Sequence, residues 1–118
     1  MRFAVEFTTG ARQDLLKIYR FIKTAGRPET AKRLYKNISD ACASLSQNPE
    51  RGHVPSELEG LANLSCRQIV IKNYRIIYQI FGKTVIIHGI IDGRRDIRET
   101  MRQRVLPESC MKIKEKFE

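Results

Sequence analysis

The sequence predicts one α+β domain of order β-α-α-β-β-β, with a helical hairpin packed on one face of an antiparallel sheet. Three observations predict it. The chain opens with a short period-two alternation, continues through two stretches whose apolar residues recur every three or four positions, and then gives three β-rich runs separated by two-residue turns.

Residues 2 to 7 place Phe3, Val5 and Phe7 on one side and Arg2, Ala4 and Glu6 on the other, the pattern of a half-buried strand. Thr8, Thr9 and Gly10 are expected to end it. From Ala11 to about Ala25, Leu15, Ile18, Tyr19 and Ile22 recur at helical spacing, and Gly26 supplies the stop. Pro28 suits the first turn of a second helix, because its missing amide hydrogen has no partner there anyway. In that helix Ala31, Leu34, Tyr35, Ile38, Ala41, Cys42 and Leu45 form one apolar stripe, with Lys32, Arg33, Lys36 and Asp40 outside. Asn48-Pro49 ends it. Two amphipathic helices with so short a connection pack as an antiparallel hairpin, and their remaining apolar surface needs a sheet.

That sheet comes from the runs Cys66 to Ile71, Tyr74 to Phe81 and Thr84 to Ile91, which Lys72-Asn73 and Gly82-Lys83 join as hairpins. In the middle run Tyr74, Ile76, Tyr78 and Ile80 are assigned to the helices, leaving Arg75 and Gln79 on an open face. A short helix is expected after the turn that begins at Gly93. The domain spans 1–106, and a polar tail, 107–118, follows.

Length fits one core rather than two. The composition, 42% hydrophobic and 30% charged, is that of an ordinary globular chain, and no apolar run approaches the ~20 residues that cross a bilayer. Glu6 interrupts the stretch in which a signal peptide would be apolar, so a cytoplasmic protein is expected. Cys42, Cys66 and Cys110 are an odd set without CxxC spacing, and read as free thiols. Twenty-two Lys and Arg against thirteen Asp and Glu give +9, which favours a polyanion, an acidic protein surface or an acidic partner segment. The plainer reading is a basic surface that keeps the protein soluble.

No Gly-x-Ser-x-Gly, HExxH, P-loop or GxGxxG occurs, no acidic cluster suggests a metal, and no cofactor is implied. His53 sits in a turn-rich loop and His88 in the last strand, where a lone histidine is more often packed than catalytic. The unusual feature is an arginine cluster after the last strand: Arg94, Arg95, Arg98, Arg102 and Arg104. On a helix, Arg94, Arg98 and Arg102 would share a face. Guanidinium groups fork onto phosphate or carboxylate and remain protonated, so they stabilise negative charge but make poor general bases. The bland alternative is a solvated helix face with Asp96 and Glu99 as pairing partners.

At Gly93-Arg94-Arg95-Asp96, taken with Tyr74-Arg75-Ile76-Ile77-Tyr78, the chain resembles the ParE/RelE toxins of type II toxin–antitoxin systems. The likeness spans about residues 2 to 106. It includes Ala11-x-x-Asp14-Leu15-x-x-Ile18-Tyr19 and Leu45-x-x-x-Pro49-x-x-Gly52. The resemblance implies a toxin held by a cognate antitoxin. RelE-like members cut messenger RNA on the ribosome, whereas ParE-like members poison DNA gyrase. Arg75 and Arg95 match two arginines of the nuclease branch by position, but Met101 stands where many of its members carry a tyrosine, and its paired lysines are not clearly reproduced by Arg67 and Lys72. The glycine-arginine-arginine-aspartate motif resembles the ParE branch. That branch is therefore expected, with Arg94, Arg95, Asp96, Arg98 and Arg102 on the target-binding surface. Two alternatives stand beside it: a ribosome-dependent endoribonuclease using Arg75 and Arg95, and a family member that binds an antitoxin without poisoning anything.

Overall fold

The computed structural model describes residues 2–55, 66–95 and 97–104, with only the backbone at 99, 102 and 103. The expected tail at 107–118, Cys110 and Asp96 lie outside the described residues. The elements are β1 (Ala4–Phe7), α1 (Thr9–Thr24), α2 (Pro28–Ser44), a 3-10 turn at Pro49–Arg51, β2 (Arg67–Ile71), β3 (Tyr74–Phe81), β4 (Thr84–Asp92) and α3 (Arg98–Arg104).

Thr9 and Gly10, expected as a break, are the first turn of α1. The reason is Thr8, whose hydroxyl accepts from the Ala11 amide at 3.1 Å and so satisfies a donor that the helix itself cannot pair. Gly26, in the left-handed region at φ +87, ends the first helix, and Pro28 opens the second. Tyr19 and Tyr35 meet edge to face across the hairpin, their ring centres 5.7 Å apart.

The sheet runs β1-β4-β3-β2. The meander of β2, β3 and β4 is antiparallel, as its short turns require, but β1 joins β4 in parallel, from Ala4 opposite Thr84 to Phe7 opposite Ile87, so the whole sheet is mixed. Between β3 and β4 the register slips by one residue: Ile77 faces Gly89 and Tyr78 faces Ile87, which leaves His88 as the extra residue of a bulge.

On one face Ile76, Tyr78, Val85, Ile87 and Ile90 pack against Ala11, Leu15, Ile38, Cys42 and Leu45. Ile38 and Leu45 are fully buried, Leu34 is half-buried, and Arg33 and Lys36 are exposed, which matches the stripe read from the sequence. Burial pushes the Cys42 thiol up to about 12, so it behaves as a small apolar side chain. The Tyr78 hydroxyl donates to the Pro49 carbonyl and accepts from the Gly52 amide. A Cβ at Gly52 would lie 2.3 Å from that hydroxyl, which is the steric reason for glycine in the Pro49-x-x-Gly52 exit.

The other face is not open. Ile97 and Met101 of the α3 region pack on Cys66, Ile77 and Ile91, and Arg75 and Gln79 are buried with them. Alternation along β3 placed Arg75 and Gln79 on the correct face, but a helix of seven residues carries too short a pattern to announce that it covers that face. Its anchor is Arg104, whose guanidinium grips both carboxylate oxygens of Asp14 at 2.6 and 3.0 Å and donates to the His88 carbonyl at 2.9 Å. Asp14 also accepts from the Ile90 amide at 3.0 Å. β1 ends its pairing at Phe7, and beyond it the β4 edge is satisfied by Thr8, whose amide donates to the Ile87 carbonyl and whose hydroxyl donates to the His88 carbonyl, together with Asp14 and Arg104. Gly10 and Gly89 make room: a Cβ at either would stand 3.2 or 2.8 Å from the Arg104 guanidinium.

The pair is largely but not wholly buried, with Arg104 27% and Asp14 15% exposed. Replacing Asp14 by Asn should therefore cost about 2 kcal/mol, less than the ~3–5 kcal/mol of breaking a fully buried pair. Amide exchange should speed up in α3 well before it does in α2, and equal exchange in both helices would refute the anchor.

Candidate functional site

The segment leaving β4 is shaped by close backbone contacts. Gly93 donates its amide to the Asn73 carbonyl at 2.7 Å, and a Cβ there would press on that oxygen at 3.1 Å. The Asp92 carboxylate accepts from the Arg94 amide at 2.9 Å, and its carbonyl accepts from the Arg95 amide at 3.0 Å. This is an Asx-type turn, a local alternative to the ladder, and it ends the strand. The Arg94 side chain folds back on Asp92 with Nε 3.3 Å from Oδ1, yet it remains 92% exposed. The hydrogen bond from Arg94 holds the Asp92 carboxyl below its usual range.

Beneath this turn runs a chain of side chains. Arg75 donates from Nε to Gln68 Oε1 at 2.7 Å and from Nη1 to the Arg95 carbonyl at 3.3 Å. With its oxygen so used, Gln68 turns its amide nitrogen to His53 Nε2 at 3.0 Å, and the two residues also exchange backbone hydrogen bonds. These groups line a groove of about 1080 Å³ at the β2 side of the sheet, together with Lys72, Tyr74, Asp92 and Arg94. Burial, then the Asp92 charge, push the Tyr74 phenol up, so it stays a donor at neutral pH.

The expected arginine cluster therefore separates. Arg94 and Arg95 are exposed on the turn, and Arg98 is exposed at the start of α3. Because the helix begins only at Arg98, Arg94 does not share a helical face with Arg98 and Arg102. Arg102 lies in α3 with its side chain outside the described set, and Asp96 lies outside it altogether. Arg75 is near the others but buried, and serves them through the Arg95 carbonyl. Arg104 belongs to the anchor. Sequence reading did not bring Lys72, His53 and Gln68 to this groove; a hairpin turn and a loop meet the segment after β4 only in three dimensions.

His88 lies under α3, fully buried, its Nε2 hydrogen donated to Gln79 Oε1 at 2.8 Å. Among the described residues its Nδ1 has no hydrogen-bond partner. Desolvation, and then the nearby Arg104 charge, lower its pKa to about 4, so it is a neutral structural residue. Among the described residues no His, Cys, Asp and Glu group could hold a metal ion, and no helix is long and apolar enough to cross a membrane.

A two-helix layer over a four-stranded mixed sheet is the fold of solved toxins of toxin–antitoxin systems. The chain belongs to the ParE toxins of type II systems (parDE), whose family model matches residues 5–97. Its fold is shared with the chromosomal ParDE system from P. aeruginosa, at 23% identity and a TM-score of 0.65 over 77% of this chain and 96% of that one. The RelBE2 toxin–antitoxin complex from Mycobacterium tuberculosis is 26% identical, with a TM-score of 0.52 over 78% and 92% of the two chains. An arginine double mutant of E. coli RelE in the free state gives 15% identity and 0.57 over 90% and 100%. No curated protein sequence matches significantly.

The neutral His88 sets a pH dependence. Its folded pKa, about 4, lies below the ordinary histidine value of 6.5, so the folded protein binds fewer protons than the unfolded chain in that interval. The contribution is present above pH 6.5 and is lost as pH falls toward 4, by about 3 kcal/mol. Denaturant melts of the parent and of His88→Gln between pH 7.5 and 4.5 should converge as the pH drops, and parallel curves would contradict the assignment.

Proposed function

We propose that the chain is a cytoplasmic toxin that inhibits DNA gyrase and is neutralised by a cognate antitoxin. The observation that carries this reading is how Arg75 is used. Cleavage by a ribose 2′-hydroxyl needs a base, a group to hold the phosphate charge and an acid for the leaving oxygen. Arg75, a candidate for the second task, spends two donors on Gln68 and the Arg95 carbonyl from a buried position. Met101, where many nuclease members have a tyrosine, is fully buried and packed on Ile77 and Ile91. What reaches solvent is the turn with Arg94 and Arg95, which suits binding of acidic oxygens by forked hydrogen bonds.

The antitoxin reading is supported by a second groove, of about 480 Å³, between β1 and the helical hairpin. Val5, Phe7, Leu15, Leu16 and Tyr35 line it, with Arg12 as its cation. It offers pockets for apolar side chains of a partner segment, while the +9 charge favours rapid association with an acidic one. One observation favours the ribosome-dependent nuclease as a second reading: His53 and Arg75 share Gln68, which sets an imidazole beside a guanidinium in one groove. There Arg95 and Arg75 would hold the scissile phosphate.

Inducing the chain alone should arrest growth, with the DNA-damage response and linearised DNA if gyrase is the target. Rapid loss of translated messages would favour the nuclease, and unimpaired growth the non-toxic member. Arg95→Ala should reduce toxicity without lowering the melting temperature, and Arg95→Lys should restore it only in part, since lysine presents a point charge. An Arg94→Ala, Arg95→Ala double variant that folds and kills like the parent would remove the turn from the active surface.

A further inference from the structure

Among the described residues the exposed large hydrophobic side chains are Leu16 at 43%, Phe21 at 76%, Tyr35 at 40%, Val54 at 43% and Val70 at 59%. They are not scattered. Leu16 and Tyr35 line the groove beside β1, whereas Phe21, Val54 and Val70 all line the groove at β2. Single exposed apolar residues need no explanation, but clustering in a concavity marks an interaction surface. The two grooves differ in charge. Among the described residues Arg12 is the one charged residue lining the β1 groove, while the β2 groove has Lys72, Arg75 and Arg94 against Asp92.

Lys72 adds a second observation. It occupies the β2–β3 turn at φ 56, a left-handed conformation that glycine or asparagine adopts at less cost. In that conformation Lys72 lines the groove together with Val70. Val54 and Val70 can neither stack on a base nor bond a phosphate, and the exposed apolar surface they form with Phe21 favours a protein partner over a nucleic acid. Apolar side chains ringed by cations instead fit a peptide with both carboxylates and apolar groups.

We propose that the β2 groove is a protein-docking surface that takes an acidic segment of the poisoned target, with apolar target side chains seated on Phe21, Val54 and Val70. This rests on the reading of gyrase as that target. It extends the toxic surface from the Arg94–Arg95 turn to the end of α1, and it separates target binding from the apolar groove assigned to the antitoxin.

The test is inhibition of gyrase supercoiling by the full-length chain, by a Phe21→Ser, Val70→Thr double variant, by Lys72→Glu, and by Arg33→Glu on the exposed face of α2 as a charge-reversal control. The double variant and Lys72→Glu should each need about tenfold more protein for equal inhibition, as truncation of anchor residues does at protein interfaces. Arg33→Glu, outside both grooves, should inhibit like the parent. A double variant as potent as the parent overturns the docking surface while leaving the gyrase reading intact. Loss of inhibition with Lys72→Glu alone overturns it as well, because the groove would then be reading phosphate. A parent chain without effect on gyrase removes both. Should the double variant melt early, a photo-crosslinking benzoylphenylalanine at position 21 of the otherwise parental chain decides. A crosslink to an acidic gyrase peptide supports the proposal; a crosslink to antitoxin or DNA, or none from an inhibitory chain, overturns it.

Discussion

The ion pair between Asp14 and Arg104 joins three parts of the molecule that the chain keeps far apart. Asp14 projects from α1 on one face of the sheet, Arg104 comes from α3 on the other, and they meet at the β4 edge beyond the last pairing of β1. There Asp14 takes up the Ile90 amide, and Arg104 donates to the His88 carbonyl, which the Thr8 hydroxyl also reaches at 3.4 Å. Leaving such groups buried and unmet costs more than the pair gains by Coulomb attraction, so the chief effect of the pair is on where α3 lies.

Other features of the second face follow from that placement. Gly10 and Gly89 leave space for the guanidinium, and the one-residue slip at His88 bends β4 where Arg104 must reach its carbonyl. With α3 held down, Ile97 and Met101 close over Ile77 and Ile91, and Arg75, Gln79 and His88 become buried polar groups. Each is then obliged to find a partner within the protein. Arg75 finds Gln68 and the Arg95 carbonyl, and so the packing of a small helix fixes the backbone of the exposed turn. The turn projects the Arg94 and Arg95 side chains into solvent from that support.

The surface is organised by the two sheet edges. Beside β1 an apolar concavity forms because strand and helical hairpin diverge there, while beside β2 the loop residues His53 and Val54 meet the hairpin turn and the exit of β4. The two concavities thus differ in character, one mainly apolar and the other lined by Lys72, Arg75, Asp92 and Arg94 as well as apolar groups.

Periodicity alone determined the element order, both helical stripes, the three meander strands and their turns, since each depends on residues close in sequence. Ile38 and Leu45 were legible as core, and Arg75 and Gln79 as opposite to the helices. The family was legible in short motifs whose physical reasons are now visible, such as Gly52 against the Tyr78 hydroxyl and Gly93 against the Asn73 carbonyl. Tertiary structure decided the rest. Only the folded chain brings Asp14 to Arg104, Gln68 to both His53 and Arg75, and Lys72 to Arg94 across one groove. A run of arginines states a charge, but whether a guanidinium is spent on a buried carbonyl or left in solvent depends on distant residues that pack beside it, and local pattern carries no information about them.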